Sequence, residues 1–312
     1  MKAIVTGGAG FIGSHLVDAL VARGDEVVII DSLATGTPVN IEGHLASGAA
    51  TLVHADLLDD GWQDAFAGCR RVYHVAADPD VRASAGAAYH MYRQNVDATV
   101  RVLEAMREHG IQEIAFTSTS TVYGEATVIP TPEDYSPMVP ISIYAATKLA
   151  DEAMISAYAA TYGMTAWVFR FANIIGERSN HGVIWDFVHK LRDRPDRLEI
   201  LGDGRQVKSY LEVTACIDGI LYAIDHADGI FNVCNVGSED WISVTEIADV
   251  IVDEMGLAGV AYEFTGGDRG WVGDVPKMQL GVEKIKALGW APPVTSRQSV
   301  RRAVRSLLDD LD

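Results

Sequence analysis

The stretch "VTGGAGFIGSH", residues 5–15, decides the fold. It closes the strand-like run "KAIVTGG" (2–8) and opens the amphipathic stretch "FIGSHLVDALVARG" (11–24), which Gly24 stops. Gly7, Gly10 and Gly13 stand between strand and helix, and Gly8, Gly10 and Gly13 also satisfy G-x-G-x-x-G. A turn without Cβ atoms lets the backbone approach a pyrophosphate closely and aims a helix N-terminus at it. A glycine pattern alone is weak, and an ordinary glycine-rich turn competes with it. Here the context, first strand to first helix, is the one the chemistry requires.

Asp31 ends the second strand-like run, "EVVIID", eighteen residues after Gly13. A carboxylate there accepts hydrogen bonds from the adenine-ribose hydroxyls and repels a 2′-phosphate. The expected cofactor is therefore NAD rather than NADP. The blander reading is a surface aspartate that caps the following turn. Asp56 and Leu57 follow the third run, and Ala76 and Ala77 the fourth. Those positions border a cofactor crevice at the carboxyl ends of parallel strands, where small alanines let a dinucleotide lie close.

Working outward, strand-like and helix-like segments alternate. Apolar runs recur at "ATLVHAD", "RRVYHVAA", "EIAFTST" and "TAWVFRF", with helical stretches at 88–109 and 143–162. Near-continuous apolar strands between helices indicate an α/β protein, a Rossmann-type doubly wound parallel sheet. After about residue 175 the strands shorten ("LEIL", "VKSYLEV", "GIFNVC") and turns grow richer in Gly and Pro, with helices expected at 214–227, 243–255 and 294–309. The division expected is a dinucleotide-binding domain over 1–174 and a smaller α/β substrate domain over 175–312, with segments free to interleave.

Bulk composition narrows the function. The chain has 312 residues, 48% of them hydrophobic and 22% charged, as a soluble globular protein has. No apolar run approaches the roughly 20 residues that span a membrane. The N-terminus runs straight into a strand and lacks a signal-peptide plan, so a cytoplasmic location is expected. Cys69, Cys216 and Cys234 fit neither a metal spacing nor a disulfide framework and read as buried small hydrophobes; no metal is expected. The net charge of −18, with seven lysines, argues against nucleic-acid or anionic-membrane partners.

In "SIYAATKLADEAM", Tyr144 and Lys148 lie four apart in a helical stretch and share one face. An ammonium and a positive nicotinamide ring beside a phenol both favour phenolate, so the tyrosine pKa is expected to fall towards neutrality, where it acts as a base. The spacing is common by chance and gains weight only beside the cofactor motif.

With these elements in view, the chain resembles the extended short-chain dehydrogenase/reductases of the NAD-dependent epimerase/dehydratase family, and within them the UDP-glucose (UDP-galactose) 4-epimerase branch. The matching elements are "GGAGFIG", Asp31, "HVAA" (74–77), "STVYG" (120–124), "YAATK" (144–148), "RFANIIG" (170–176), "GDGRQVKSY" (202–210) and "GDRGWVGDVP" (267–276). The resemblance implies that Tyr144 is the catalytic base and that Lys148 is its partner, which also holds the nicotinamide ribose. It implies that Thr119, four residues before Tyr123, is the catalytic hydroxyl. Cofactor-side positions extend to Phe11, Ile12, Ser32, Thr35, Gly36, Asn95, Thr117 and Phe171. Sugar-nucleotide positions are Thr119, Ser120, Asn173, Val183, Lys208 and Arg269. Lys208 stands where the family usually has arginine, which keeps the charge but loses the bidentate fork. "RGWVGD" lengthens the usual Arg-Pro-Gly-Asp. The helices 88–109 and 143–162 resemble those that pair into the family's homodimer interface.

Dehydratases of the family place Asp-Glu directly after the catalytic threonine, and decarboxylases keep a Glu at the second of those positions. Here they are Ser120 and Thr121. A 4-epimerase needs no second acid/base pair, and the expected function is a nucleotide-sugar 4-epimerase with tightly bound NAD. The rival readings are a UDP-glucuronate or UDP-N-acetylhexosamine epimerase, decarboxylase or reductase, and a non-catalytic dinucleotide-sensing protein. Arg178, Asn180 and His181 line the sugar site or form a solvated loop. His74 reads as structural, and Trp185 and Phe187 as helix core.

Overall fold

The computed structural model describes residues 1–271 and 273–311. The chain forms two compact units. The first comprises Met1–Val122, Pro140–Arg170 and Leu221–Cys234; the second comprises Tyr123–Val139, Phe171–Ile220 and the chain from Asn235 onward. A single cut at residue 174 does not follow these units, whose segments interleave. Residues 123–139 and 171–174 go with the second unit and 221–234 with the first.

Through the first part of the chain run β1 (Lys2–Thr6), α1 (Phe11–Ala22), β2 (Glu26–Asp31), α2 (Glu42–Ser47), β3 (Ala50–His54), β4 (Arg71–His74), α3 (Ala88–Tyr92), α4 (Ala98–His109), β5 (Glu113–Thr119), α5 (Ile143–Tyr162) and β6 (Thr165–Phe171). There follow β7 (Asn173–Ile175), α6 (Val183–Asp193), β8 (Arg197–Ile200), β9 (Val207–Lys208), β10 (Tyr210–Glu212), α7 (Val213–His226), β11 (Phe231–Val236), β12 (Ile242–Ser243), α8 (Val244–Glu254), β13 (Ala261–Phe264), β14 (Lys277–Met278), α9 (Glu283–Leu288) and α10 (Ser296–Leu311).

A seven-stranded sheet has the order β11-β6-β5-β4-β1-β2-β3. Strands β1 to β5 pair in parallel. The order reverses at β1 and β4, so the chain leaves the sheet in opposite directions on either side of that point. This opens the crevice in which doubly wound folds bind nucleotides, at the carboxyl ends of the strands. The strands are Val- and Ile-rich because both faces are covered: Ile4, Val28, Val72, Ile114 and Val168 pack with Val102 and Met106 of α4 and Ile155 of α5. That burial fixes where each strand ends, and hence where the residues after it project. The second unit has its own core, in which Phe187 and Leu191 of α6, Ile247 and Ile251 of α8, and Val300 and Val304 of α10 pack together.

Two departures from the sequence reading have local causes. The helix expected over 88–109 is α3 and α4 joined by a π-helical turn, Arg93–Asp97. The turn centres on Asn95, and such turns recur at functional sites. The strand expected at "VKSYLEV" splits at Ser209. Its buried hydroxyl donates to Ser238 O and accepts from Ser238 N, both at 3.0 Å. The chain so leaves one ladder, β9 with β12 and β14, and joins another, β10 with β7.

Candidate active site

The glycine loop is built as close packing dictates. Gly7 has φ +69°, and its amide donates to Ile30 O at 2.8 Å. A Cβ on Gly7 would lie 2.8 Å from the Ala76 backbone, and one on Gly13 only 2.0 Å from Gly7 O. Side chains are thus excluded on two sides of the turn, by β4 and by the loop itself. Gly10 is the N-cap of α1 and contributes no side-chain cap, while Phe11 opens the helix. Phe11 turns edge-on to His15, and Ile12 is half-buried.

Asp31 sits at the end of β2, buried, with each carboxylate oxygen already oriented. Oδ2 accepts from Ala9 N and Oδ1 from Leu33 N, both at 2.8 Å. Asp31 caps its own turn, as the blander reading had it, but it is buried rather than on the surface; it also ties that turn to the glycine loop and has acceptor lone pairs to spare. Gly36 lets the loop pass close, because a Cβ there would meet Asp31 Oδ1 at 3.1 Å. Ser32 and Thr35 are exposed on the same loop. These features fit a dinucleotide whose pyrophosphate lies on the α1 N-terminus and whose ribose reaches Asp31.

Of the other expected cofactor residues, Ala76 donates its N–H to Thr6 Oγ1 at 3.2 Å, and Ala77 follows it, half-buried. Asp56 accepts from Leu58 N at 2.8 Å. The Leu57 side chain is in the hydrophobic core, so any role at the crevice is its backbone's. Phe171 is buried at the end of β6.

α5 carries Tyr144 and Lys148. Ser142 caps it, accepting from Ala145 N at 3.2 Å, and Gly163 ends it at φ 72°. Tyr144 and Lys148 lie one turn apart. Lys148 is 2% exposed, and its Nζ sits 4.2 Å from the centroid of the Phe116 ring on β5. Burial pushes this ammonium down to about 8, against Asp151 and Glu152, which hold it up. The Tyr144 phenol is pushed above its ordinary value, first by burial and then by the negative charges of Asp151 and Asp78. The protein's own groups therefore do not by themselves produce the expected depression: burial is the larger cause of the rise, and the charges of Asp151 and Asp78 add to it. In the expected scheme the remaining source of positive charge is the oxidised nicotinamide ring.

Asn95 is buried and braces the pair. Its Oδ1 accepts from Asp78 N at 2.8 Å, and its Nδ2 donates to Thr147 Oγ1 at 3.0 Å. Thr147 in turn donates to Tyr144 O at 2.8 Å. The π turn, the β4 loop and α5 are thus one hydrogen-bonded group.

The hydroxyl run divides by direction. Thr117, Ser118 and Thr119 end β5, and Ser120 begins a 3-10 turn, Ser120–Tyr123. Ser118 donates to Glu152 Oε1 at 2.5 Å. Thr117 lies 3.4 Å from His74 O. Thr119, half-buried at the last strand position, accepts from Thr121 N at 3.2 Å and pairs with the Thr121 hydroxyl at 3.1 Å. Ser120 is buried.

Sequence reasoning missed the buried charges beneath this site. Glu152 holds Arg170 through Nη2 at 2.6 Å and Nε at 3.0 Å. An arginine inside the apolar strand "VFRF", and a glutamate one turn after Lys148, were the available signals. His74 is structural as expected. Nδ1 pairs with Thr6 Oγ1 at 2.7 Å and Nε2 with Thr99 Oγ1 at 2.9 Å. Burial, then Lys148, lower it to about 3, so it is neutral.

In the second unit, Asn173 Nδ2 donates to Ser209 O at 3.1 Å. Lys208 Nζ pairs with Asp274 Oδ1 at 2.5 Å, and Arg269 Nη2 with Glu125 Oε1 at 2.6 Å. Arg269 Nη1 also donates to Asp274 O at 3.1 Å. Both cations expected at a diphosphate are therefore held by carboxylates of this unit. Val183 starts α6. Phe187 is core, but Trp185 is not. It is 37% exposed and stacks on His189 at 3.8 Å, because its position faces away from the stripe formed by Ile184, Phe187 and Leu191.

A Rossmann cradle that selects NAD, with a Tyr and Lys pair one helical turn apart beside it, defines the class: a nicotinamide-dependent enzyme of the short-chain dehydrogenase type. The family model described as the NAD dependent epimerase/dehydratase family matches residues 3–237, and the chain belongs to that family. A putative UDP-glucose 4-epimerase of Methanocaldococcus jannaschii is 33% identical over 308 residues, covering 96% of each chain. A crystal structure of UDP-galactose 4-epimerase is 40% identical, covers 100% of both chains and superposes with a TM-score of 0.88. The UDP-glucuronic acid 4-epimerase from Bacillus cereus, in complex with UDP-glucuronic acid and NAD, is 27% identical over 99% of both chains, with a TM-score of 0.90. The cofactor of this enzyme is NAD.

Proposed function

We propose that the protein is a nucleotide-sugar 4-epimerase of the UDP-glucose/UDP-galactose type. The observation that carries this reading is an intact Tyr144, Lys148 and Thr119 set followed directly by the uncharged Ser120 and Thr121. Water elimination or decarboxylation in relatives uses acids there. The nearby buried Glu152 is held by Arg170 and Ser118 and is not free for proton transfer. Bound NAD supplies a hydride acceptor that gives the hydride back within one turnover, and a positive ring charge. Tyr144 takes the proton from the sugar 4-hydroxyl and later returns it to the same oxygen, when C4 receives hydride on its opposite face. Thr119 hydrogen-bonds that same oxygen. Lys148 keeps positive charge beside the phenol and binds the nicotinamide ribose. Asn173, Lys208 and Arg269 take the diphosphate, which then replaces Asp274 and Glu125 as the partner of the two cations.

The first unit is assigned to NAD and the second to the nucleotide sugar. A cytoplasmic homodimer is part of the same proposal. Tyr89, Tyr92 and Tyr162 expose aromatic surface on the helices assigned to the dimer, and no helix among the described residues is long and apolar enough to cross a membrane.

The test is incubation with UDP-galactose, UDP-N-acetylgalactosamine and UDP-galacturonate without added NADH. Epimerisation of one of them, with no net change in absorbance at the NADH band, is the expected result. Failure with all three sinks the reading, and CO₂ release from UDP-glucuronate replaces it with a decarboxylase. A monomer by light scattering at micromolar concentration overturns the dimer.

A further inference from the structure

Two cations and two anions are buried together around α5: Lys148, Arg170, Asp151 and Glu152, each under 5% exposed. Burying a charge is costly unless another compensates it. Glu152 is used by Arg170, at 2.6 Å, and by Ser118, at 2.5 Å. That leaves Lys148 and Asp151. They stand three residues apart on one helix, a spacing that places side chains on the same face. Asp151 is 1% exposed, and neither of its carboxylate oxygens makes a hydrogen bond of good geometry. A fully buried carboxylate keeps its charge only against a nearby cation; without one it takes up a proton instead.

We propose that Asp151 is a positioning residue that acts through Lys148: it is the buried counter-charge that keeps Lys148 in the ammonium form, and it thereby sets the alkaline edge of the pH range in which the Tyr144 and Lys148 pair works. The inference rests on the roles proposed above for that pair.

The surroundings support the assignment. On α5 itself, the charges of Lys148 and Glu152 act on Asp151, and that of Asp151 acts on Tyr144. From α4 comes the Thr99 hydroxyl, which is shared with the neutral His74 of β4. On β5, Phe116 offers Lys148 only a ring face, and on β6 Arg170 is committed to Glu152. Asp78, on the β4 loop, is a quarter exposed and lies 3.5 Å from His90. Glu152 also supports the Lys148 charge, but its oxygens are already engaged by Arg170 and Ser118. Asp151 is pushed up to about 7 by burial, against Lys148, and Lys148 is pushed down to about 8 by burial, against Asp151. Each therefore supports the other's charge against desolvation. Removing either one exposes the partner to the full penalty.

The test reads Lys148 directly and needs no substrate. The full-length protein is labelled at lysine Cε. With seven lysines, the Lys148 signal is identified by its loss in Lys148→Met. In Asp151→Asn the Lys148 signal is expected to titrate about one pH unit or more below its wild-type midpoint. With the epimerisable substrate, the alkaline limb of kcat/KM should move the same way, and Asp151→Glu should restore part of it. An unchanged Lys148 titration in Asp151→Asn overturns the proposal, whatever the enzyme's substrate proves to be. Should Asp151→Asn fail to fold, Lys148→Met protein labelled at aspartate Cγ gives the reciprocal reading. Asp151 is then expected to stay protonated about one pH unit or more beyond its wild-type midpoint. Ionisation at the wild-type midpoint overturns the idea equally.

Discussion

Thr119 and Gly13 show what single side chains decide in this enzyme. Among five consecutive hydroxyls, Ser118 is bound to Glu152 and Thr117 turns towards His74 O, so neither is free to meet a substrate oxygen. Thr119 keeps its hydroxyl within its own turn, bonded only to Thr121. Thr119→Ala is therefore expected to lower kcat by about 10- to 100-fold, the loss of one hydrogen bond to a developing charge, while NAD stays bound. Steady-state kinetics with the ultraviolet spectrum of the purified variant checks both halves. Unchanged kinetics would pass the role to Ser120. Gly13→Ala should behave in the opposite way. The added Cβ meets Gly7 O at 2.0 Å, so the loop must open and dinucleotide should be lost on purification. The same spectrum, without its dinucleotide contribution in a protein that still melts cooperatively, is the expected outcome.

At the scale of elements, α5 does more than present Tyr144. Through Glu152 it grips β6 at Arg170 and β5 at Ser118, one residue before Thr119, and through Thr147 it grips the π turn at Asn95. The strand end that carries Thr119 and the helix that carries Tyr144 are thus held by a buried ion pair rather than by apolar packing alone. Removing one partner of such a pair leaves a bare buried charge, so Glu152→Ala should cost about 3–5 kcal/mol of stability. Replacing both partners, as in Glu152→Leu with Arg170→Met, should cost much less. Urea denaturation of the two variants separates the cases, and equal losses would mean that the pair is no more than surface-like.

At the scale of the molecule, charge and pH set the working conditions. Buried His74 is held neutral, about 3 in the fold against about 6.5 in the unfolded chain, because burial and Lys148 oppose its charging. The unfolded state binds the extra proton between these values. Stability from this residue is therefore complete above about pH 6.5 and is lost progressively as pH falls towards 3. The acid slope of the unfolding free energy should flatten in His74→Asn, measured by denaturation between pH 7 and pH 4. With a net charge of −18, the folded chain also repels itself. Raising salt from about 0.01 M to about 0.5 M shortens the screening length several-fold, and the melting temperature should rise. A fall would show that specific surface ion pairs dominate instead.

By itself the sequence determined the parallel α/β sheet, the glycine cradle, the preference for NAD, the span of α5 and the one-turn spacing of Tyr144 and Lys148. Each of these depends on local rules: the period of apolar residues, the absence of Cβ atoms in a turn, and helical spacing. It also identified Thr119 by resemblance, though not the bonds that set it apart from its neighbours. Only the tertiary structure decided which unit the segments 123–139 and 221–234 join, where the helix over 88–109 widens at Asn95, and that Trp185 lies outside the core. Only it showed that Tyr144 feels the charges of Asp151 and Asp78 and that Asp151 and Lys148 are both buried on α5. A pKa depends on burial and on every charge within a few ångströms. Those charges and polar groups come from α5, α4, β4 with the loop after it, and β6, elements far apart in the chain that meet only when the sheet is complete.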